Sequence, residues 1–594
     1  MATKTRSAGR EAVRSGSPAD VPTAFLPPAA ELERLKLSPE VAWYLVSRGI
    51  ALPDCPPRWK TPEPRDVDGA AFDPDRVDRV LAAFRQLRHT QGRLAGLPLV
   101  PDPWQVAYIL APVFGWVRWD EDADAYVRII RTLYVDVPRK NGKSTLCGGI
   151  AIYMACADGE QGAQVVTAAT SERQAGFVFN PIKTLAAKSR ALARFVKALA
   201  KKVIHRPSGS TIEVVSSAAD AQHGANIHCG VVDELHVHKT PDLLEAIETG
   251  TGSRTQPLIV IITTADSGRR ETAYDRKRRL IEQLASGVLV DETTYGVIWC
   301  ADPADDPYAE ATQRKANPGY GISPTRAYLR SKANGARNSP AELAAYQRLH
   351  LGVRTKQETK FLTLESWDRN AGVVDEQALH DREAYGGLDL ASTSDLIALC
   401  WLFPDDDGGY DALWRLWTPE DNVAALDKRT AKAASRWVQA GLLRTTPGNV
   451  ADYDVVQAQI EEDLGAFDVQ SLGFDPWNAT QLTNNLAAAG APLVKVRQGL
   501  QTLSPPLKEV QRLLLAGRED RPLLRHGGNP AVRWQVDNLS VHTDPAGNVK
   551  PDKARSAEKI DAVSSLVTAM SEAMGRAPTV RSAYADEGAE LTVI

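Results

Sequence analysis

The sequence predicts two α/β sheets in tandem, and three stretches of its 594 residues predict them. The first is Val137–Thr145, Val-Pro-Arg-Lys-Asn-Gly-Lys-Ser-Thr, preceded by a β-branched run, Arg131–Val137, and followed by a small, apolar run, Leu146–Ala157. A buried strand, a tight loop ending Gly-Lys-Ser and a buried helix form the context of a phosphate-binding loop. The second is Cys229–Val232 followed by Asp233 and Glu234, an apolar strand that ends in two carboxylates. The third is a change of pattern near residue 384, where three strands with short connections precede a helix and then alternate with helices.

In the loop, backbone N–H groups and the helix N-terminus face the β- and γ-phosphates of ATP. Lys143 bridges those phosphates and the Ser144 hydroxyl holds Mg²⁺. Arg139, Lys140, Asn141, Gly142 and Thr145 complete the expected ATP-binding set. The full pattern asks for glycine at 137, where this chain has Val137 and then Pro138. Asp233 would order the Mg²⁺ water shell, and Glu234 would orient and deprotonate the attacking water. His236 and His238 form an H-x-H, but no Glu-x-x-His or Cys pair joins them to suggest zinc. Pro257–Thr264 reads as another buried strand; Thr263 and Thr264, at its end, either sense hydrolysis or cap the next turn.

Hydrophobic content of 43% and charged content of 24% describe a soluble globular protein too long for one core. No apolar run approaches a membrane span and the N-terminus has no signal-peptide hydrophobic region, so no membrane association is expected. The six cysteines are scattered and read as small core residues in a reducing cytoplasm. A net charge of −4 argues against a wholly basic surface, but two local runs, Arg269–Arg279 and Lys197–Arg206, are candidate DNA contacts or solvated faces.

In chain order, residues 1–27 are expected to be disordered and 28–75 to form a small helical appendage, with a helix over Glu40–Arg48, and a proline-rich linker. Helices follow at Arg76–Arg88 and from Pro103 to Phe114, and Gln105 could read an adenine edge with its amide. Strands Gln164–Thr170 and Thr211–Val215, and a helix from Ser171 as cap to Leu185, complete a P-loop NTPase (RecA/ASCE-like) parallel-sheet domain over 76–266. Residues 267–355 look helical and polar, a lid rather than more of the sheet, interrupted by the strand Thr294–Cys300. After a charged linker at 356–383, residues 384–575 follow the order of a ribonuclease-H-like nuclease domain, with 576–594 as a flexible tail.

In that second domain Asp389 ends Ala384–Leu390, Asp475 ends Val469–Phe474 and Asp561 lies early in the last helix. Helix Val423–Ala440 lies between these strands. Three such aspartates can converge on hard divalent ions, and two ions can activate water and stabilise the leaving oxygen in phosphodiester cleavage. Asp395 is a possible fourth ligand, and Lys553 and Lys559 either touch the cleaved backbone or face solvent.

Taken together, Pro-Trp-Gln at 103, Pro-Arg-Lys-Asn-Gly-Lys-Ser at 138, Val-Val-Asp-Glu-Leu-His at 231, Thr-Thr-Ala at 263, Gly-Leu-Asp-Leu-Ala at 387, Gly-Phe-Asp at 473 and Lys-Ile-Asp-Ala at 559 carry a resemblance. The chain resembles the large terminase subunit of tailed bacteriophages, an ATP-driven DNA packaging motor with a fused nuclease. The resemblance implies Gln105 as an adenine contact, Lys143 and Ser144 as phosphate and Mg²⁺ ligands, Asp233 as the metal-ordering acid and Glu234 as the catalytic base. It further implies Arg139 as a charge stabiliser, Thr263 and Thr264 as coupling residues, and Asp389, Asp475 and Asp561 as ligands of two Mg²⁺ or Mn²⁺ ions. Its implied partners are double-stranded DNA, a small terminase subunit and the portal protein of the procapsid, on which a homo-oligomeric ring docks in the host cytoplasm. A helicase-like or restriction-type translocase would share the loop and the acid pair but carry a second RecA-like half, of which no motif is evident after residue 300.

Overall fold

The computed structural model describes residues 26–575 apart from 91–93, 169–171, 190–191, 216–225, 239, 270–271, 355–360, 391–395, 477–479, 545–546, 554–555 and 557. The disorder expected of 1–25, the tail at 576–594, Ser171 as a cap, Arg270 and Asp395 lie outside the described residues. The chain divides into two compact units, Met1–Gln357 and Glu358–Ile594.

The first unit is organised on a nine-stranded sheet. Its order is Trp59–Lys60, Thr294–Ile298, Thr132–Asp136, Leu258–Thr263, Ile227–Asp233, Gln164–Ala168, Ser210–Val215, Lys202–His205, Val196–Ala198. The strands from Thr294–Ile298 to Ser210–Val215 run parallel, as near-continuous apolar runs buried on both faces require. Parallel order gathers their carboxyl ends on one edge: Thr263 pairs with Asp136, and Asp233 with Ile262. The phosphate loop, the acid pair and the threonines therefore share that edge.

Two expectations need correction here. The strand at 294 is not part of a lid; it lies beside the loop strand, with Tyr295, Val297 and Ile298 fully buried, because the preceding helix Ala273–Ala285 is the crossover that returns the chain to the sheet. The segment 28–75, expected as a small helical appendage and linker, has its helix at Pro39–Ser47 but is more than a linker beyond it: Trp59–Lys60 forms an antiparallel edge strand on Thr294–Ile298. Around it Leu35, Val41 and Tyr44 join the main core, Tyr108 donates to the Leu35 carbonyl at 2.8 Å, and Trp299 donates to that of Cys55 at 3.1 Å. Burial penalises the Glu63 carboxylate, but Lys60 beside it, with bonds from Trp116 and Ser38, holds it below the usual range. What remains of the lid is a group of three helices, Glu310–Ala316, Arg326–Gly335 and Pro340–Leu351, around a small core of Ala316, Ala333, Tyr346 and Leu351.

A small antiparallel sheet, Ala70–Phe72, Trp116–Asp120 and Ala125–Arg128, had no counterpart in the sequence reading. The helix from Pro103 runs on to Gly115 through a π-helical turn at Val106–Leu110. Among the described residues no helix is long and apolar enough to cross a membrane, and the cysteines are all free, with only Cys156 not fully buried.

The second unit has a seven-stranded mixed sheet. Glu383–Asp389, Ile397–Pro404 and Tyr410–Pro419 form an antiparallel meander, and Asp468–Phe474 and then Leu493–Lys495 extend it in parallel beside Glu383–Asp389. This is the ribonuclease-H-like order. The single helix expected over Val423–Ala440 is two, Val423–Thr430 and Ala433–Gln439, broken where Ala431 and Lys432 take positive φ. The last helix, Asp561–Met574, lies across the first strand, and Gly387 explains how: a Cβ there would stand 2.1 Å from the Ser565 carbonyl oxygen and 2.3 Å from the Ala569 nitrogen. Only glycine admits the helix this close, and the approach carries Asp561 to the end of the strand that bears Asp389.

Candidate active sites

In the first unit the loop turns through Lys140 at φ +74° and Gly142 at φ +72°, and Lys143 opens the helix Lys143–Cys156. The buried Lys143 ammonium donates to the carbonyls of Val137 (3.2 Å) and Thr263 (3.3 Å) and to the Thr264 hydroxyl, and stands 3.8 Å from the Glu234 carboxylate. One cation thus ties three strand ends together. Ser144 is exposed and Thr145 half-buried on the first turn of the same helix.

Asp233 is buried, and one of its oxygens accepts the Glu234 N–H at 2.8 Å. Burial, then the neighbouring Glu234 charge, pushes its carboxyl up to about 6. Glu234 takes a left-handed backbone, φ +51°, which turns its side chain back over the loop. Burial disfavours its charge, but His236, 3.1 Å away, and Lys143 outweigh that and bring its carboxyl down to about 2, with Arg139 adding to the pull. Among the described residues no third metal-ligating side chain joins the H-x-H. The His236 N–H donates to the Thr263 hydroxyl at 3.2 Å, its ring also touches that hydroxyl at 3.3 Å, and its carbonyl accepts from Arg269 at 2.7 Å. Thr263 and Thr264 are fully buried, the first bound to His236 and the second to Lys143.

The other loop residues divide. Arg139 and Lys140 are exposed, with the Arg139 N–H donated to the Leu349 carbonyl at 2.9 Å. The Asn141 side chain is committed elsewhere: it donates to Asn317 at 2.8 Å and accepts from the Gly319 N–H at 3.0 Å, latching the loop to the helical group at 301–351. Gln105 is the N3 residue of a capping box, its Oε1 accepting from the Asp102 N–H at 2.9 Å, while its Nε2 lies beside Gly142.

The basic run at 269–279 is divided, with part of its charge spent inside the protein. Arg278 is buried and donates to Asp136, the last residue of the loop strand, at 2.9 Å; Tyr274 donates to the same oxygen at 2.6 Å. Lys277 pairs with Glu248 at 2.6 Å and Arg279 with Asp275 at 3.1 Å, while Arg269 and Arg276 are exposed. The fully buried Asp136 requires a cation, and Arg278 supplies it. In the second run Lys202 pairs with Glu213, and Lys197, Lys201 and Arg206 are exposed on the hairpin at the far edge of the sheet.

In the second unit Asp389 and Asp561 meet through Lys553. Its ammonium lies 2.8 and 2.7 Å from the two Asp389 oxygens and 2.8 Å from Asp561 Oδ1. Burial raises the Asp389 carboxyl to about 6; Lys553 opposes this and Asp561 adds to it. Burial opposes the Lys553 charge, but the two aspartates outweigh it and raise its pKa above the usual lysine value. Asp561 Oδ2 is buried without a hydrogen-bond partner. Asp475 follows Phe474, whose partner is Leu388, so it ends the strand next to that of Asp389. It opens on a cleft of about 410 Å³ with Pro476, Arg497 and Gln498. Among the described residues no three His, Cys, Asp or Glu side chains are grouped closely enough to hold a metal ion, so Asp475 stands apart from the Asp389–Asp561 pair. Sequence reasoning did not find the Lys553 bridge, the His236 contact or the Asn141 latch; the first and last join residues far apart in the chain, whereas His236 meets Glu234 two positions away through the turn that follows the strand.

Both sites suit divalent ions. The exposed Ser144 hydroxyl lies beside a loop faced by the buried Asp233, whose charge Lys143 and His236 offset only in part, and in the second unit Asp389 and Asp561 each keep a buried oxygen without a hydrogen-bond partner while one ammonium neutralises the pair only in part.

Two family models match the chain: terminase large subunit, ATPase domain, over residues 103–283, and terminase large subunit, endonuclease domain, over 289–576. The second begins ahead of the strand Thr294–Ile298 and so reaches into the first unit. The chain is 29% identical to the large terminase subunit of Enterobacteria phage HK97 over 513 residues, 84% of this chain and 96% of that protein. It is 31% identical to protein YmfN of Escherichia coli (strain K12) over 363 residues, 59% of this chain and 78% of that protein. The crystal structure of the HK97 large terminase aligns over 84% of this chain and 99% of its own with 27% identity and a TM-score of 0.48. With a phosphate loop and acid pair on one sheet, a carboxylate pair on a ribonuclease-H-like sheet, and both domain models matched in order, this chain belongs to the terminase large subunit family.

Proposed function

We propose that the first unit hydrolyses ATP at the strand edge around Lys143 to drive double-stranded DNA into a procapsid, and that the second unit cuts concatemeric DNA at Asp389 and Asp561. The observation that carries the reading is the Lys143 ammonium, held by the Val137 and Thr263 carbonyls and Thr264 within 3.8 Å of Glu234. A phosphate in the loop would take that ammonium as a direct ligand, with Arg139, Lys140, Gly142, Ser144 and Thr145 around it and Asn141 offering only its backbone N–H. Gln105, beside Gly142, would touch the adenine edge or brace the loop.

Glu234 orients the attacking water. Its low pKa makes it a weak proton acceptor until Lys143 shifts to the phosphates; losing that cation raises its basicity just when substrate is present. Arg139 adds positive charge where the γ-phosphate leaves. Thr264 and Thr263 report the change, since one holds Lys143 and the other holds His236 and, through its carbonyl, Arg269. Ser144 and Asp233 would hold a Mg²⁺ ion, which neutralises phosphate charge when bound.

In the second unit Asp389 and Asp561 would hold Mg²⁺ or Mn²⁺, one or two ions, and Asp475, which stands apart at the next strand end, would join them only by moving toward the pair; when bound, the metal would activate water and stabilise the leaving oxygen. Gly387 sets the helix approach that positions Asp561, and the strand register positions Asp475. We further propose that the chain works as a homo-oligomeric ring on the portal protein, in the host cytoplasm, with a small terminase subunit selecting the DNA.

The test measures ATP turnover and Mn²⁺-dependent plasmid cleavage in one set of preparations. Lys143→Ala should lower turnover by about two to three orders of magnitude and keep cleavage. Asp389→Ala should do the reverse. Cleavage retained in Asp389→Ala removes the nuclease assignment, and turnover retained in Lys143→Ala removes the ATP site.

A further inference from the structure

Two carboxylates that each keep a buried oxygen without a hydrogen-bond partner, Asp389 Oδ2 and Asp561 Oδ2, would ordinarily be separated by mutual repulsion or joined by a metal. Here a side chain of the protein joins them. Lys553 sits eight residues before Asp561; its ammonium donates to Asp389 Oδ1 and Asp561 Oδ1, both at 2.8 Å, and stands 2.7 Å from Asp389 Oδ2 as an ion pair. Mg²⁺ binds such oxygens at about 2.1 Å, so an ion bridging the same atoms would lie against the ammonium, a like charge at contact distance. The two cannot share those oxygens.

The lysine is also free to leave. Its side chain is 50% exposed, against 13% for Asp389 and 6% for Asp561, so the stem lies along the surface and only the charged head reaches inward. Withdrawal would cost little packing, and would leave Asp389 and buried Asp561 facing each other with the Ser564 hydroxyl beside Asp389 but without the lysine's charge between them. A DNA phosphate laid over the site is an alternative anion for the departing ammonium.

We propose that Lys553 is a resident counter-cation of the nuclease pair: it competes with the metal for Asp389 and Asp561, and duplex DNA promotes metal binding by drawing the lysine onto a backbone phosphate. The inference rests on the nuclease reading above. The carboxylates stay paired and folded without a metal, and the metal enters when DNA is present, which restricts cutting to DNA seated on the site.

The experiment measures Mn²⁺ affinity of the full chain without nucleotide, by calorimetry, with and without a short blunt duplex. Thermal midpoints are recorded in EDTA and in saturating Mn²⁺. Without DNA, Lys553→Met and Lys553→Gln should bind Mn²⁺ about tenfold more tightly than wild type. The duplex should tighten binding in wild type and not in the variants. In EDTA the variants should melt below wild type, and Mn²⁺ should raise their midpoint by more than it raises that of wild type. Lys559→Met, which removes a positive charge two residues from Asp561, should leave Mn²⁺ affinity within about twofold of wild type. An unchanged or weaker Mn²⁺ affinity in both Lys553 variants overturns the proposal, as does a midpoint loss that Mn²⁺ fails to recover, which marks a purely structural ion pair. Asp389→Asn separates the two readings: if it binds Mn²⁺ as wild type does, the nuclease site itself has been placed wrongly.

Discussion

Each unit sets a lysine against a carboxylate at a strand end, joined in the second unit by one at the start of a helix, yet the two lysines are held in opposite ways. Lys143 is buried and gripped by neutral oxygens, two backbone carbonyls and a threonine hydroxyl, with Glu234 at a longer 3.8 Å. Lys553 is half exposed and held by carboxylates alone. The first arrangement keeps a cation in place whatever the state of the acid beside it, ready for a phosphate. The second lasts only while no better cation competes. The difference follows from backbone: a loop wrapped around Lys143 supplies carbonyls, whereas the nuclease pair is assembled by a helix laid across a strand and offers only side chains.

The comparison breaks first at Gly387. If helix approach assembles the nuclease pair, Gly387→Ala should displace Asp561, destabilise the second unit by about 3 kcal/mol and lower Mn²⁺-dependent cleavage by about 100-fold or more, with ATP turnover unchanged. Urea melts and paired activity assays on one preparation check it; cleavage at the wild-type level would mean the helix accommodates the methyl group without moving Asp561.

A smaller effect is expected at His236. Its ring is the main cause holding the Glu234 carboxyl at about 2 against burial. His236→Ala should therefore raise that pKa, shift the acid limb of the turnover profile to higher pH, since more acid conditions then protonate the base, and lower turnover about tenfold. A pH–rate profile from pH 4 to 9 decides it, and an unmoved acid limb would exclude the His236 contact as the source of the low pKa. The smallest effect is at the latch. Asn141→Ala should cost about 1–2 kcal/mol in chemical denaturation of the first unit by removing the bonds to Asn317 and Gly319, with cleavage untouched; no loss of stability would show that the loop does not depend on those bonds.

What the sequence revealed was local. The phosphate loop, the acid pair and the three strands of the second unit are contiguous runs whose periodicity and turn residues are visible without partners. Arg278 was misread because a run of basic residues looks the same whether buried or solvated. A signal was present: Tyr274, Arg278, Ile281 and Leu284 are spaced to share one helix face, and three of them are apolar or aromatic. No such cue existed for Lys553 and Asp389, 164 positions apart, or for Asn141 and Asn317, 176 apart. The strand at 294 was recognised as a strand but not as the neighbour of the loop strand, because β pairing across a crossover leaves no local trace.

The antiparallel pairing of Trp59–Lys60 with Thr294–Ile298 also sets an order of assembly during synthesis. The front of the chain leaves the ribosome early, but its place in the sheet does not exist until more than two hundred further residues have emerged. Until then the segment has no strand to join, and the closing of this edge is a late, long-range event of the kind that slows folding. For the same reason the motor cannot be trimmed at its first conspicuous helix. Starting the chain at residue 76 would leave Thr294–Ile298 as a bare apolar edge, offering its unpaired N–H and C=O groups to a neighbouring copy and inviting aggregation.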